Sequence, residues 1–304
     1  MVSSALAGMA FGGCANPNLE WLASGSMSTV AVKQSDSTRQ FVQASSRIGL
    51  RQAEFVDIAW RRSLRGDLRL QSVPPNCPSE VCLTGPAIDA EFSASLDHYA
   101  YGRFSLGREA SLASEVVRKL TPFGFETIGS DRCAALLALK CERLRPLSAT
   151  YDGPTFGALT PSMQVSRGGN GVNVMGAASI ELMGGQATFG LSGGESGRWL
   201  APVGVSLPFG RFRAFGLLTF GRAEEGKGRY SAIGATTPLL GGELRTQWST
   251  TRLANSDRRS KKAAVGWHRP LSADWVLSLD AAAAWSADGR RIASADLGLR
   301  WTWP

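Results

Sequence analysis

The chain has no run of 18 or more apolar residues, which excludes a helix able to cross a bilayer. Its longest apolar pieces, residues 134–139 and 281–285, fall far short of that length. Histidine is scarce, with two in 304 residues, and no Cys-x-x-Cys occurs, so the usual zinc-ligand spacings are missing. Cysteine numbers five and tyrosine four. Acidic residues are outnumbered, 25 against 33 Lys and Arg, and the net charge of +8 points to anionic partners such as lipid surfaces or small anions. The basic residues are scattered, and the one dense run, residues 258–262 (RRSKK), reads as a solvated loop between strands. Nucleic acid is therefore not expected as a partner.

What is present is a period of two. In residues 296–303, Leu297, Leu299, Trp301 and Trp303 share one face, while Asp296, Gly298, Arg300 and Thr302 share the other. Such a strand suits hydrocarbon on one side and water on the other. The same alternation sets Ile48 and Leu50 against Arg47, Gly49 and Arg51, and Leu68 and Leu70 against Asp67, Arg69 and Gln71. Along residues 275–285, Trp275 and Trp285 bracket an aliphatic band of Leu277, Leu279, Ala281 and Ala283, the pattern of two aromatic girdles. Ala281, Ala282, Ala283 and Ala284 are also candidates for close packing on the outer wall. Fifteen strand-like runs, bounded by Gly, Pro, Asp and Ser, extend from residues 29–34 to residues 292–303. The expected fold class is all-β, a transmembrane antiparallel β-barrel of about 16 strands, with 14 possible. A soluble sandwich would bury the same residues.

Residues 25–304 are expected to form this single barrel domain, preceded by a signal-like lead segment, residues 1–24, whose residues 4–15 are short and apolar. Residues 11–14 (FGGC) resemble a loose lipoprotein box with Cys14 as possible acyl acceptor. Cys77 and Cys82 enclose one short loop and Cys133 and Cys141 another, which suits disulfides in an oxidising compartment; four free thiols are the alternative. One long segment, about residues 108–146, breaks the alternation and includes a helix-compatible piece at 110–120. Loops of this length inside a compact domain are usually functional, and in a wide barrel the expected role is to fold inward and narrow the lumen.

Chemistry-bearing motifs are weak. Residues 190–194 (GLSGG) formally fit Gly-x-Ser-x-Gly around Ser192, but no strand-to-helix turn is expected there, and only His98 and His268 could serve as bases. Residues 168–171 (GGNG) lack the following Lys and Ser or Thr of a phosphate loop and read as a hairpin turn. No enzymatic activity, cofactor or metal is expected.

Five segments, in order, resemble the Gram-negative general porins of the betaproteobacterial type. They are residues 46–54 (SRIGLRQAE), 101–109 (YGRFSLGRE), 151–158 (YDGPTFGA), 230–251 and 263–285. The resemblance departs at the end of the chain, where such proteins finish on Phe and Trp303 is followed here by Pro304. It implies an outer-membrane channel for passive diffusion of small hydrophilic solutes and ions, assembled as a homotrimer in outer-membrane lipid. It also implies a constriction in which a basic wall faces an acidic loop. By motif the wall is Arg47, Arg51, Arg103 and Arg108, joined by Arg69 on alternation alone, and the acids are Glu109, Glu115, Glu126 and Asp131. The charge balance makes an anion preference the expectation. A non-conducting barrel that scaffolds an envelope complex is the alternative.

Overall fold

The computed structural model describes residues 19–34, 37–72, 88–123, 132–135, 137, 147–168, 171–194, 197–223, 226–253 and 259–303. Sixteen strands follow one another: β1 (Leu19–Gln34), β2 (Ser37–Phe55), β3 (Trp60–Ser72), β4 (Ile88–His98) and β5 (Gly102–Arg108). After β5 come two helices, α1 (Leu112–Lys119) and α2 (Arg132–Ala135). Then follow β6 (Leu147–Asp152), β7 (Leu159–Gly168), β8 (Gly171–Leu182), β9 (Gly185–Gly194) and β10 (Trp199–Phe209). The series ends with β11 (Phe212–Ala223), β12 (Gly226–Leu239), β13 (Gly242–Leu253), β14 (Arg259–Pro270), β15 (Trp275–Trp285) and β16 (Arg291–Trp303). Each strand pairs antiparallel with the next, and β1 pairs with β16 from Ala23↔Trp303 to Gln34↔Ile292, which closes the barrel. Closure leaves no open edge of unpaired backbone groups, the condition for strands in hydrocarbon.

The alternation read in the sequence sets the two faces of this wall. On β16, Ile292, Ser294 and Asp296 are buried, whereas Leu297 stands 54% exposed on the outside. On β15, Trp275 and Leu279 are exposed while Asp280 and Ala282 are buried. Ala282 packs inside with Val30, Phe123 and Ile292, and Ala284 packs against the same cluster, so the four alanines do not share the outer wall. The reason is the strand period: neighbours in sequence must face opposite sides. Trp275 pairs with Trp301 at 5.8 Å and Trp248 with Trp285 at 5.9 Å, giving outer aromatic pairs at two heights.

Fifteen of the strands correspond to the expected runs, most of them longer at one end or both, while β4, β5 and β7 begin one to three residues later than expected. The sixteenth, β6, is only six residues long and ends at Asp152, just before Gly153 and Pro154, too short to show a period. β5, at seven residues, is also below the 9–11 that a tilted strand needs to span the hydrocarbon. Between these two short strands lies the whole segment 109–146, so the long loop leaves the wall where the wall is lowest. Strand β1 starts at Leu19, six residues inside the segment read as a lead. Arg259, Ser260, Lys261 and Lys262 correct the loop assigned to residues 258–262: they are the opening of β14, with Lys261 and Lys262 on opposite faces.

Candidate functional site: a charged cavity inside the barrel

The long loop is held inside the barrel by apolar packing on one side and by a buried amide on the other. Helix α1 begins at Ser111, whose hydroxyl accepts from the Ser114 N–H, and carries Glu115 in its first turn and Arg118 and Lys119 in its last, all favourable to the helix dipole. Its inner face, Val116, Val117 and Leu120, is buried with Ala135 and Leu137 against Met175, Leu217, Tyr230 and Ala232 of the wall. Leu120 fits there because β10 has Gly204 at that point: a Cβ on Gly204 would come within 2.7 Å of Leu120 Cδ1. Burying Val116, Val117 and Leu120 contributes about 1.5–3 kcal/mol each before ordering costs. At the start of the loop, Gln164 of β7 is 4% exposed; its Oε1 accepts from the Leu112 N–H at 2.8 Å, and its Nε2 donates to Thr150 Oγ1 at 3.0 Å. Ser105 donates to Glu109 Oε2 at 3.0 Å, fixing the first acid of the loop.

Opposite this packed side the lumen remains open as a cavity of about 840 Å³. Its wall supplies Arg47, Arg65, Arg69, Arg103, Arg245 and Arg300, and α1 adds Arg118 and Lys119. Against these eight cations stand four carboxylates, Glu91, Glu109, Glu115 and Asp152.

The cations of β2 and β3 are organised around Asp67. Arg47 grips it in two-pronged fashion, Nε to Oδ1 at 3.0 Å and Nη2 to Oδ2 at 2.6 Å, and Arg65 Nε reaches Oδ2 at 2.6 Å. Arg47 also approaches Glu91 at 3.4 Å. The Asp67 side chain is only 3% exposed, so these bonds act where water competes little. Asp67 can lie flat because its cross-strand partner is Gly49, where a Cβ would meet Oδ1 at 2.2 Å. The Arg-Ile-Gly run at 47–49 thus has a physical meaning: the glycine makes room for the carboxylate that orients the arginine.

Of the residues proposed from sequence for the basic wall, Arg47, Arg69 and Arg103 line the cavity and Arg51 does not, although it follows Arg47 and Gly49 on the same strand face. Arg108 falls in step with the exposed Phe104 and Leu106, on the outer side of β5, while Ser105 faces inward. Among the proposed acids, Glu109 and Glu115 reach the cavity, and Glu115 is already paired with Arg118 at 2.6 Å. Glu126, Asp131, Cys14, Cys77, Cys82 and Cys141 lie outside the described residues, as does the side chain of Cys133. Arg65, Arg245, Arg300, Arg118, Lys119 and Glu91 were not proposed. Alternation already placed Arg300 on the wet face of β16, and Arg65 lies in step with Asp67 and Arg69 on the inward face of β3.

The Ser192 motif sits within β9 instead of at a turn, and the Ser192 hydroxyl donates to the Leu200 carbonyl at 3.4 Å. His268 pairs with Asp280 at 2.9 Å, and His98 stacks between Trp60, Tyr99 and Tyr101 in the turn of β4 and β5. Among the described residues there is no cluster of His, Cys, Asp and Glu able to hold a metal.

A closed sixteen-stranded antiparallel barrel, with a loop folded into its lumen and a charged passage beside it, is the fold of the general porins. Comparison with solved structures agrees. The anion-selective porin from Comamonas acidovorans superposes with a TM-score of 0.77 at 16% identity, covering 94% of this chain and 99% of that one. OmpF of Salmonella typhi gives 0.74 at 12% identity over 94% and 97%, and a Rhodopseudomonas blastica porin variant gives 0.66 at 10% over 94% and 100%. No protein-family model matches the sequence, and no curated protein matches it.

Proposed function

We propose that this protein is an outer-membrane channel of Gram-negative type, through which small hydrophilic solutes and ions diffuse passively, with a preference for anions. The observation that carries this reading is the cavity itself: a space of about 840 Å³ left beside the inward loop and lined by eight cations against four carboxylates. A passage with a surplus of one sign lowers the cost of bringing the opposite ion in and raises it for like ions. The loop departs from a simple acidic barrier, since α1 carries Arg118 and Lys119 beside Glu115, so selectivity rests on net lumen charge more than on a field across the constriction. The fold shared with an anion-selective porin supports the same direction. The resemblance in sequence further implies a homotrimer, which the mass of the purified protein in detergent would test. Purified protein in a planar bilayer should give discrete open currents and, under a salt gradient, a reversal potential of anionic sign. Absence of current would favour a scaffolding barrel, and a cationic sign would remove the anion preference.

A further inference from the structure

We infer that two glycines of the barrel wall, Gly234 and Gly266, set the bore of the passage, because they fix how far the tip of the long loop projects into it. The inference rests on the channel reading for its consequence and on wall geometry for its content. After α1 the chain runs Leu120-Thr121-Pro122-Phe123 across the inner wall from β10 to β14, and its three apolar side chains each land on a glycine. A Cβ on Gly204 of β10 would lie 2.7 Å from Leu120 Cδ1, one on Gly234 of β12 would lie 2.8 Å from Pro122 Cγ, and one on Gly266 of β14 would lie 2.7 Å from Phe123 Cε1. Beyond α2, Leu137 lies over Gly221 of β11 in the same way, at 3.1 Å.

These seats are inward positions of the strands. Gly234 alternates with the buried Ala232 and Thr236, and Gly266 with the buried Ala264 and His268. They also lie on one diagonal. Gly204 pairs with Leu217, which pairs with Ala232, two residues before Gly234; Gly234 pairs with Gln247, which pairs with Ala264, two residues before Gly266. A glycine within a strand marks a place where something else approaches the wall closely, and here the approaching group is the loop at three successive points. Leu120 is buried against the wall, whereas Thr121, Pro122 and Phe123 line the passage. Gly204 therefore holds the base of the tip, and Gly234 and Gly266 set the depth of the part that solutes meet. Carbon atoms rest about 3.5–4.0 Å apart, so a methyl group at either seat pushes the tip roughly 1 Å toward the passage.

The test uses the full chain, with single-channel conductance and exclusion of neutral polyethylene glycols in a planar bilayer, and with trypsin cleavage after Arg118 and Lys119 in detergent as a readout free of current. A shift of roughly 1 Å in a passage about 12 Å across should lower the conductance of G234A or G266A by roughly a tenth. Both variants should also exclude smaller polymers than the native channel does, and both should be cut faster by trypsin. The added methyl crowds the wall as well, against the Thr246 carbonyl at Gly234 and the Asp280 carboxylate at Gly266. The pairs G234A/P122A and G266A/F123A separate the two effects: truncating the loop side chain should return conductance and polymer cut-off to the native level or above, without restoring thermal stability. Gly176 of β8 has open space where a Cβ would stand, so G176A should change none of these readouts. Native conductance and cleavage in G234A and G266A, a conductance loss that persists in both pairs, or an equal loss in G176A would each overturn the inference. A silent native channel would defeat the channel reading alone, and the trypsin comparison of the two seats with G176A would still decide this one.

Discussion

Replacing Leu120 with Ala should release the constriction loop without unfolding the barrel. Leu120 is 1% exposed, seated over Gly204 and flanked by Val116 and Val117 at 3% and 0%. A buried Leu→Ala change costs about 2–5 kcal/mol, because the cavity it leaves adds to the lost transfer energy. At about 3 kcal/mol the ratio of docked to undocked loop falls roughly a hundredfold. Gln164 would still hold the segment near Leu112, so the loss should fall on α1 and the residues after it. The sixteen-strand ladder makes no use of Leu120, so thermal unfolding of the barrel should shift little. Single-channel recording should show higher and noisier conductance, and trypsin should cut after Arg118 or Lys119 faster than in the native protein. A quiet channel of unchanged conductance, equally resistant to trypsin, would refute the idea that this packing holds the loop.

Neutralising one cation from each side of the passage, R69Q with K119Q, removes two of the eight lining cations and should reduce the anion-to-cation permeability ratio roughly fivefold in 0.1 M salt; an unchanged reversal potential would contradict it. Gly49→Ala should displace the Asp67 carboxylate, whose Oδ1 would lie 2.2 Å from the new Cβ, and cost about 1–3 kcal/mol of stability, measured by thermal unfolding in detergent. In the turn after β15, hydrogen bonds from Ser286 and from the Arg290 N–H, with the Arg290 guanidinium, hold the Asp288 carboxyl down to about 2. Because the folded value lies below the ordinary 3.8, that contribution is present above pH 4 and disappears as pH falls toward 2. Asp288→Asn should therefore unfold at a lower temperature than the native protein at pH 5, and the difference should shrink as pH falls through 2.

The wall was legible because a strand exposes its environment every second residue: Leu297, Leu299 and Trp301 against Asp296 and Arg300 needed no other information. Strand β6 was not, since six residues before a Gly-Pro pair hold too few periods to recognise. The lumen was legible as a face and not as a site. Arg47 and Arg69 reach the cavity because alternation sends them inward, whereas Arg108, placed by motif at the mouth of the loop, is turned outward by the same alternation. What no local pattern could supply is the path of the loop. That path depends on long-range fits, Leu120 over Gly204 and Leu112 to Gln164, each between residues more than forty apart, and it decides that Arg118 and Lys119 join the passage.

The decisive measurement is the reversal potential of the purified protein in a planar bilayer, taken under the same salt ratio at low and at high ionic strength. A sphere of 840 Å³ has a radius of about 6 Å, which puts wall charges about 8 Å from its centre. Asp67, Asp97 and Glu243 sit against four of the lining cations, Arg47 and Arg65, Arg103 and Arg245, so the surplus of four counted on the lining is an upper bound that favours an anion by at most about 2 kcal/mol unscreened and about 1 kcal/mol at 0.1 M salt. At that bound anions are enriched and cations depleted about fivefold each, a permeability ratio of at most roughly 20, which screening should reduce to at most roughly 2 at 1 M. An anionic reversal potential that shrinks this way is the predicted result. A cationic sign, a potential indifferent to ionic strength, or no current at all would contradict it.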